Sequence, residues 1–263
     1  MSLLPSALRG AIAAAALVAT LSVASAQTPS GQTAPAFSPE QKSAIEGIVR
    51  EYLLKNPELM VEVMGELERR QATAQKQAQE SALKTAQDTL YASPHDIVLG
   101  NPKGDVTLVE FFDYNCGYCK RAAEDVQALI KADPKLKVVI KDFPVLGPGS
   151  VEAARVAVAA KPLLGAKAGE FHLKLLTSRG PIDGAQASAV AKDLGADAAK
   201  LRAAMESPEV SQVIAQTVEL GDKLSLTGTP AWIIGDNVIF GAVGEDRLRD
   251  AVKNVRSCGV TEC

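Results

Sequence analysis

Apolar residues recur at helical spacing in two short segments near the start of the chain. Ser38-Pro39-Glu40-Gln41 has the residue types of a capping box, so a helix should begin at Ser38. Its apolar stripe falls at i, i+3, i+4 and i+7 and consists of Ile45, Ile48, Val49 and Tyr52. Asn56-Pro57 should end this helix and cap a second one, whose stripe consists of Leu59, Met60, Val63, Met64 and Leu67.

Large apolar residues almost vanish from 68 to 88, where Leu83 stands alone among Gln, Ala, Glu and Lys. This composition predicts a solvated helical spacer, ended by Ser93-Pro94. The two short stripes before it cannot build a core by themselves. We therefore infer self-association, giving a homo-oligomer through residues 38–67.

The chain then changes to strand patterns. Ile97–Leu99, Val106–Phe112 and Leu136–Ile140 read as strands, and Lys120–Lys131 reads as a helix with one buried side. Residues 149–224 read as helical, punctuated by Pro162, Gly180-Pro181, Gly195 and Pro208. The strands Ala231–Ile234 and Val238–Phe240 and a closing helix, Gly244–Val255, complete the pattern. The predicted class is α/β, with a helical insertion inside a strand–helix–strand unit.

The first residues indicate export. Arg9 precedes the apolar run 11–23, and Ala24-Ser25-Ala26 supplies a small-x-small cleavage site, so residues 1–26 read as a signal peptide. The Pro-, Gly-, Ser- and Thr-rich stretch up to residue 37 reads as a flexible linker. We expect secretion across an inner membrane into a periplasm. The formal charge of −3 gives no electrostatic reason to expect a nucleic acid or an anionic membrane as a partner.

Two of the four cysteines form a C-x-x-C, Cys116 and Cys119, at the start of the predicted helix. Unpaired N–H groups at a helix N-terminus favour a thiolate, so Cys116 should be an exposed nucleophile. Cys119, one turn on, should resolve the mixed disulfide. The alternative is half of a zinc site with Cys258 and Cys263, but their C-x4-C spacing and the absence of a nearby histidine favour redox chemistry.

Glu110 lies inside a strand that is apolar on both faces. A buried carboxylate is costly, and burial raises its pKa. Such a group is suited to take the proton of Cys119 when that thiol attacks. The alternative is a glutamate that reaches solvent at the end of the strand.

Thr229-Pro230 immediately precedes the apolar strand 231–234. The prior for an X-Pro bond is trans, since only about 5–6% are cis in folded proteins. A cis bond here would leave the backbone of Thr229 free to pair with an extended substrate segment beside Cys116.

These motifs together resemble a known family. "VEFFDYNCGYC" and "GTPAW", within residues 95–257, resemble the DsbA family of secreted thioredoxin-fold thiol-disulfide oxidoreductases, which carry an inserted helical domain. The resemblance implies that Cys116 attacks, Cys119 resolves, Glu110 is the buried acid and Pro230 is the cis-proline. The extension "FSPEQKSAIEGIVREYLLKNPELMVEVMGELERRQ" is similar to that of the ScsC-like subgroup, named for suppression of copper sensitivity, some of whose members oligomerise through it.

The dipeptide between the cysteines departs from the strongly oxidising members, which commonly have Pro-His where this chain has Gly117-Tyr118. Gly-Tyr resembles the dipeptide of the dimeric isomerase DsbC, which favours isomerase or reductase activity. The redox group would be the Cys116–Cys119 disulfide, with no other cofactor and no metal. Cys258 and Cys263 should form a structural disulfide, although a shuttle with Cys116 stays open. His95 and His172 are expected to be structural.

The hypothesis is a disulfide-exchanging enzyme, isomerase-like, acting on unfolded or misoxidised secreted proteins and recycled by a membrane partner. The alternatives are a monomeric dithiol oxidase, a reductase of one dedicated partner, a copper(I) carrier or a holdase chaperone. We expect a signal peptide (1–26), a linker (27–37), a helical extension (38–92), a thioredoxin-fold core (93–146 and 227–257), a helical insertion (147–226) and a tail (258–263).

Overall fold

The computed structural model describes residues 37–263, so the predicted signal peptide and nearly all of the linker lie outside the described residues. The helices are α1 (Pro39–Lys55), α2 (Glu58–Thr85), α3 (Gln87–Tyr91), α4 (Gly117–Ala132), α5 (Pro148–Leu164), α6 (Ala168–Leu176), α7 (Gly184–Asp193), α8 (Ala198–Met205), α9 (Pro208–Lys223) and α10 (Glu245–Cys258). The strands are β1 (Ile97–Gly100), β2 (Val106–Phe112), β3 (Leu136–Asp142), β4 (Ala231–Ile234) and β5 (Asn237–Phe240). None of these helices combines the length and apolarity needed to span a bilayer.

Helix α1 begins as its sequence predicts. Ser38 Oγ accepts from Gln41 N, and the Gln41 side chain accepts from Ser38 N, which completes the capping box. Asn56 ends the helix, and its side-chain amide donates to the Tyr52 carbonyl. No residue of α1 is buried.

The five strands form one mixed sheet in the order β1-β3-β2-β4-β5. The central pair, β2 and β3, is parallel, and the other three pairs are antiparallel. The carboxyl ends of β2 and β3 therefore lie at the same edge as the start of β4 and the end of β5. Phe111 pairs with Ala231, which in turn pairs with Phe240. This edge carries the loop that contains Cys116.

Both faces of the sheet are buried. On one face, Leu108 and Phe112 of β2 join an apolar cluster with α4 and α10. On the other face, Val109 and Phe111 join a second cluster that includes Leu83. Because both sets of alternating side chains are covered, β2 is apolar on both faces, as expected for a central strand.

The interpretation of residues 68–88 as a solvated spacer is wrong at its end. Leu83 of α2 and Leu90 of α3 are buried in the second cluster, and the Gln79 side chain donates to the Leu224 carbonyl at 2.8 Å. The helical run also divides earlier than Ser93-Pro94, because α2 ends at Thr85. The last turns of α2 are therefore part of the packed domain.

Three lysines hold the segment that leads from α3 into β1. Lys137, Lys141 and Lys161 donate to the backbone carbonyls of Tyr91, Thr89 and Pro94, respectively. Lys141 is buried and also pairs with the carboxylate of Asp96. Burial lowers the pKa of Lys141 and raises that of Asp96, whereas their mutual attraction opposes both shifts. Their pairing offsets part of the cost of burying two charges.

The helical insertion consists of α5 to α9. Helix α5 is its centre and contacts α7, α8 and α9, while α6 packs on β1 and α4. Pro162 does not break α5, which continues to Leu164. Because Pro162 lies in the last turn, only the end of the helix loses a backbone hydrogen bond.

Candidate functional site

The loop between β2 and α4 brings both thiols of the C-x-x-C to the edge of the sheet. Cys116 is the N-cap residue of α4, with φ −77° and ψ 114°, and its Sγ accepts from the backbone N–H of Cys119 at 3.4 Å. Cys119 lies in the first turn of the helix and is fully buried. The cap position gives the Cys116 sulfur the environment that favours a thiolate.

The prediction that Cys116 is exposed is wrong. Only 5% of the residue is accessible, because its Sγ lies 3.1 Å from the carbonyl oxygen of Thr229. The Thr229 backbone, next to Pro230, therefore lies directly against the Cys116 sulfur.

The two thiols have opposite acidities. The pKa of Cys116 is lowered to about 5, mainly because the Cys119 thiol hydrogen-bonds to its sulfur, with smaller contributions from the Thr229 side chain and from backbone N–H groups that outweigh the opposing effect of burial. The pKa of Cys119 is raised far above that of a free thiol, because its proton is held by Cys116, because it is buried and because Glu110 lies near. At neutral pH the structure therefore presents one thiolate and one protonated thiol.

Glu110 is buried in β2, with 1% of the residue accessible. Its Oε1 has no hydrogen-bond partner among the described residues, and burial, followed by the charge of Cys116, raises its pKa to about 8. The alternative of a glutamate that reaches solvent therefore does not apply. A carboxyl group with this pKa can exchange a proton near neutral pH, close to the thiol of Cys119.

The Thr229-Pro230 peptide bond is cis in the structure. Two hydrogen bonds hold the segment that contains Pro230. Gly241 N donates to the Pro230 carbonyl at 2.8 Å, and the Trp232 indole donates to the Gly241 carbonyl at 2.9 Å. A cleft of about 250 Å³ opens in front of this segment, lined by Tyr118, Thr227, Gly228, Thr229, Pro230, Phe240, Gly241 and Ala242. The cleft is uncharged and lies directly beside the Cys116 sulfur.

The motif dipeptide is largely exposed. Tyr118 is 60% exposed and forms part of the cleft wall, while a Cβ at Gly117 would meet no atom within 4 Å. Tyr118 is therefore the side chain of the dipeptide that borders the cleft.

Sequence reasoning missed the residues that fix the loop before Cys116. Asp113 accepts from Asn115 N, from Ser150 Oγ at 2.7 Å and from the backbone N–H groups of Val145 and Leu146. Asn115 itself exchanges two hydrogen bonds with the backbone of Ile182 in the insertion. The signal was the Asp-x-Asn turn immediately before the motif, since Asp side chains commonly accept from the backbone two residues on.

The second cysteine pair lies elsewhere. Cys258 and Cys263 form a disulfide at the end of α10, next to the turn between β4 and β5, where Thr261 bonds to Asn237. The 14 residues of α10 span about 20 Å, and the turn is at the opposite end of β4 from Pro230. Within one chain the two cysteine pairs are therefore separated. No group of three or more His, Cys, Asp or Glu suited to a metal ion occurs in residues 37–263.

The two histidines are both engaged away from the thiols. His172 is buried against Phe112 and Tyr114, and burial lowers its pKa to about 3, so it is neutral. His95 Nε2 lies 3.4 Å from a carboxylate oxygen of Glu209.

A mixed sheet with a cysteine pair at a helix start, a cis-proline facing it and a helical insertion defines the class of thioredoxin-like proteins. Residues 107–253, more than half of the chain, match the family model described as the DSBA-like thioredoxin domain. The chain belongs to this family. Residues 41–74 match a second model, the copper resistance protein ScsC N-terminal domain.

Solved structures agree with this assignment. A thioredoxin-like oxidoreductase from Silicibacter pomeroyi is 43% identical, with a TM-score of 0.61, over 65% of this chain and 98% of that one. Proteus mirabilis ScsC in a transitional conformation is 29% identical, with a TM-score of 0.61, over 83% of this chain and 96% of that one. The thiol-disulfide exchange protein α-DsbA2 from Wolbachia pipientis is 29% identical, with a TM-score of 0.63, over 69% and 98%.

These neighbours confirm the predicted fold, a thioredoxin-like DsbA fold preceded by N-terminal helices. A curated relative, the Na(+)/H(+) antiporter NhaA 1 of Salinispora arenicola, is 27% identical over 159 residues, 60% of this chain. The match spans only 24% of that antiporter's own length.

Proposed function

We propose that this protein is a periplasmic thiol-disulfide oxidoreductase that rearranges disulfides in exported proteins, with Cys116 as its nucleophile. The observation that carries the proposal is the placement of two adjacent thiols at the start of α4, with Cys116 at the N-cap against the cis Thr229-Pro230 bond and Cys119 buried in the first turn. This placement lowers the pKa of Cys116 to about 5 and raises that of Cys119. Family membership supports the oxidoreductase class. The periplasmic location is supported by relatives such as a periplasmic thioredoxin-like protein from Salmonella enterica.

The chemistry begins when the Cys116 thiolate attacks one sulfur of a client disulfide. A Cys116–client disulfide forms, and the other client sulfur leaves as a thiolate. A client thiolate that then attacks this or another disulfide returns Cys116 as a thiolate, so the disulfide is moved without net oxidation. Alternatively, Cys119 attacks Cys116, which releases the client as a dithiol and leaves the Cys116–Cys119 disulfide in the enzyme.

The residues around the thiols have separate parts in this proposal. Glu110 takes the proton of Cys119 as that thiol attacks, and Thr229 and Pro230 present the backbone and the cleft to an extended client segment. Gly117 and Tyr118 replace a Pro-His dipeptide and favour isomerase-like exchange. The isomerase must be kept reduced, which requires a dithiol donor, and we assign this part to a membrane recycling partner.

The direct test is recovery of activity from an enzyme whose disulfides have been scrambled. The wild-type protein, supplied with a small thiol to keep it reduced, should restore activity, and Cys116→Ser should not. Equal recovery with both proteins would overturn the isomerase proposal. Failure of both, together with rapid oxidation of a reduced dithiol client by the wild type, would show an oxidase instead.

We further propose that the protein is a homo-oligomer held through residues 38–67. Most of the large apolar side chains of this segment and of the residue before it are exposed: Phe37, Ile45, Ile48, Val49, Tyr52, Leu54, Met60, Val61, Val63, Met64 and Leu67. Exposed apolar residues concentrated in this way usually mark an interaction site. Several copies would place several Cys116 thiolates around one misfolded client.

Deleting residues 38–67 should convert the oligomer to a monomer. The deletion must stop before α2 enters the packed domain, because Leu83 and Leu90 are buried on the sheet. Ile48→Asp should weaken the same association without shortening the chain, and Lys76→Asp, on the polar part of α2, is the matched control. Molecular mass from light scattering decides the question, and an unchanged mass in the deletion variant would contradict the proposal.

Copper(I) binding is a second candidate, favoured by the match of residues 41–74 to a copper resistance family model. Cys116 and Cys119 would supply soft sulfur ligands, and the raised pKa of Cys119 means that the metal would have to displace a proton. Stoichiometric copper(I) on the reduced wild type, lost in Cys116→Ser, would support this function.

A further inference from the structure

Arg121 packs on Tyr118, a residue of the cleft wall beside Cys116. The guanidinium carbon of Arg121 lies 4.4 Å from the centroid of the Tyr118 ring, in a cation–π contact. The same ring lines the cleft. Arg121 follows Tyr118 by three residues on α4, so the two side chains lie on the same helical face.

The charge of Arg121 is not neutralised by an acidic side chain within residues 37–263. Among residues 37–263, Arg121 takes part in no ion pair and no side-chain hydrogen bond, and its side chain is exposed. The neighbouring cation, Lys120, is engaged, since its amine donates to the carbonyls of Ser178 and Gly180 in the insertion. The cleft lining carries no formal charge. A client segment in the cleft therefore lies near the positive charge of Arg121, which is held against the ring of Tyr118.

We propose that Arg121, positioned by Tyr118, is a specificity-determining residue that favours client segments with an acidic residue next to the reacting cysteine. This inference rests on the proposed thiol-disulfide exchange and names the clients of the same site. A carboxylate beside the client cysteine would pair with the guanidinium while the cysteine sulfur reaches Cys116. A lysine at the same position would be repelled.

The size of the preference follows from the exposure of Arg121. An ion pair in water contributes little, so the advantage of Glu over Lys should be about two- to fivefold in rate. The formal charge of the whole chain, −3, acts in the opposite direction and would favour the lysine segment. A preference for Glu would therefore come from a local cation.

The test uses three peptides that carry one cysteine as a mixed disulfide with glutathione and differ only in a neighbouring Glu, Gln or Lys. Two sets place this residue before or after the cysteine, because the direction of the bound strand decides which side faces Arg121. The full-length reduced protein reacts in a single turnover. Cys116 attacks the peptide sulfur and expels glutathione as a thiol, and Cys119 then releases the reduced peptide and leaves the enzyme disulfide.

The measured quantity is the ratio of the rates for the Glu and Lys peptides within each variant, which cancels any change in the intrinsic reactivity of Cys116. The wild type should prefer Glu in one set, and high salt should reduce the preference. Arg121→Gln should remove it, and Arg121→Glu should reverse it. Tyr118→Phe keeps an aromatic ring under the cation and should retain it, whereas Tyr118→Leu should weaken it.

Arg202→Gln is the matched control, since it removes one exposed charge from α8, which packs on α5. Its Glu-to-Lys ratio should equal that of the wild type. Equal ratios in the wild type and Arg121→Gln, in both sets, would overturn the specificity proposal while leaving the exchange activity established. No reaction with any peptide would overturn the proposed function, and this specificity with it.

Discussion

Replacing Cys116 with serine is expected to abolish thiol-disulfide exchange. The reaction needs an anionic sulfur, and the structure stabilises that anion at the N-cap of α4, where the pKa of Cys116 falls to about 5. A serine hydroxyl does not ionise near neutral pH and forms no disulfide. The rate of reaction with a glutathionylated peptide should fall roughly 10³-fold or more, measured as release of the peptide thiol under single-turnover conditions.

Cys119→Ser separates the two steps of the same reaction. This variant keeps the attacking sulfur, so it should form the mixed disulfide with the client and then stop, and the adduct should appear on Cys116 by mass spectrometry. The double variant Cys258→Ser/Cys263→Ser is the matched control. This variant removes the two cysteines at the C-terminal end of α10, away from Cys116, and should react as the wild type does. An adduct on Cys119 in the Cys116→Ser variant would contradict the assignment of the nucleophile.

Glu110→Gln is expected to slow the second step and to spare the first. The wild-type carboxylate lies close to Cys119, whose raised pKa makes its proton difficult to remove. An amide of the same shape cannot accept that proton. Resolution of the mixed disulfide should slow by about 10²-fold, while its formation should change little. In the wild type, resolution should accelerate as the pH rises through about 8, the pKa of Glu110, and the variant should lack this inflection.

The same variant has a predicted effect on stability. The pKa of Glu110 is about 8 in the folded protein, against an ordinary value of 4.5 for a glutamate in water. Between these pH values the folded state holds a proton that the unfolded state has released, so the free energy of unfolding should fall as the pH rises from 4.5 to 8, by an amount on the order of several kcal/mol. Urea unfolding of the oxidised protein measures this, because Cys116 does not titrate there while burial, the larger cause of the raised pKa of Glu110, remains. A pH dependence unchanged in Glu110→Gln would show that another group is responsible.

Periodicity predicted the sheet well, because its strands are short apolar runs bounded by Gly, Pro and Asn. Each of the five observed strands overlaps a predicted one, and α10 extends beyond its predicted end, Val255, to Cys258. The hydrophobic pattern did not predict the burial of Leu83, because a single large apolar residue in an otherwise polar helix does not form an apolar stripe. Leu83 is buried by residues such as Phe111 and Leu224, which are distant along the chain, and no local pattern reports such contacts.

Some features of the site could also be predicted from the sequence, and others could not. The burial of Glu110 could be predicted from the sequence, because the residues on both sides of it are apolar and its strand is therefore covered on both faces. The accessibility of Cys116 did not follow, because it depends on the carbonyl of Thr229, which is 113 residues away. Asp113 was missed for the same reason, as its partners Val145, Leu146 and Ser150 come from another loop.

The central claim is that the fold ionises Cys116 and keeps Cys119 protonated, so that one thiol attacks and the other resolves. The most direct test is a pH titration of the thiolate absorbance of the reduced protein, with Cys116→Ser and the oxidised protein as references. We expect one thiolate to appear with a midpoint near pH 5, to be absent from both references, and to be followed by no second thiolate up to neutral pH. A midpoint near that of an ordinary thiol, about 8.5, or a midpoint near 5 that persists in Cys116→Ser, would contradict it.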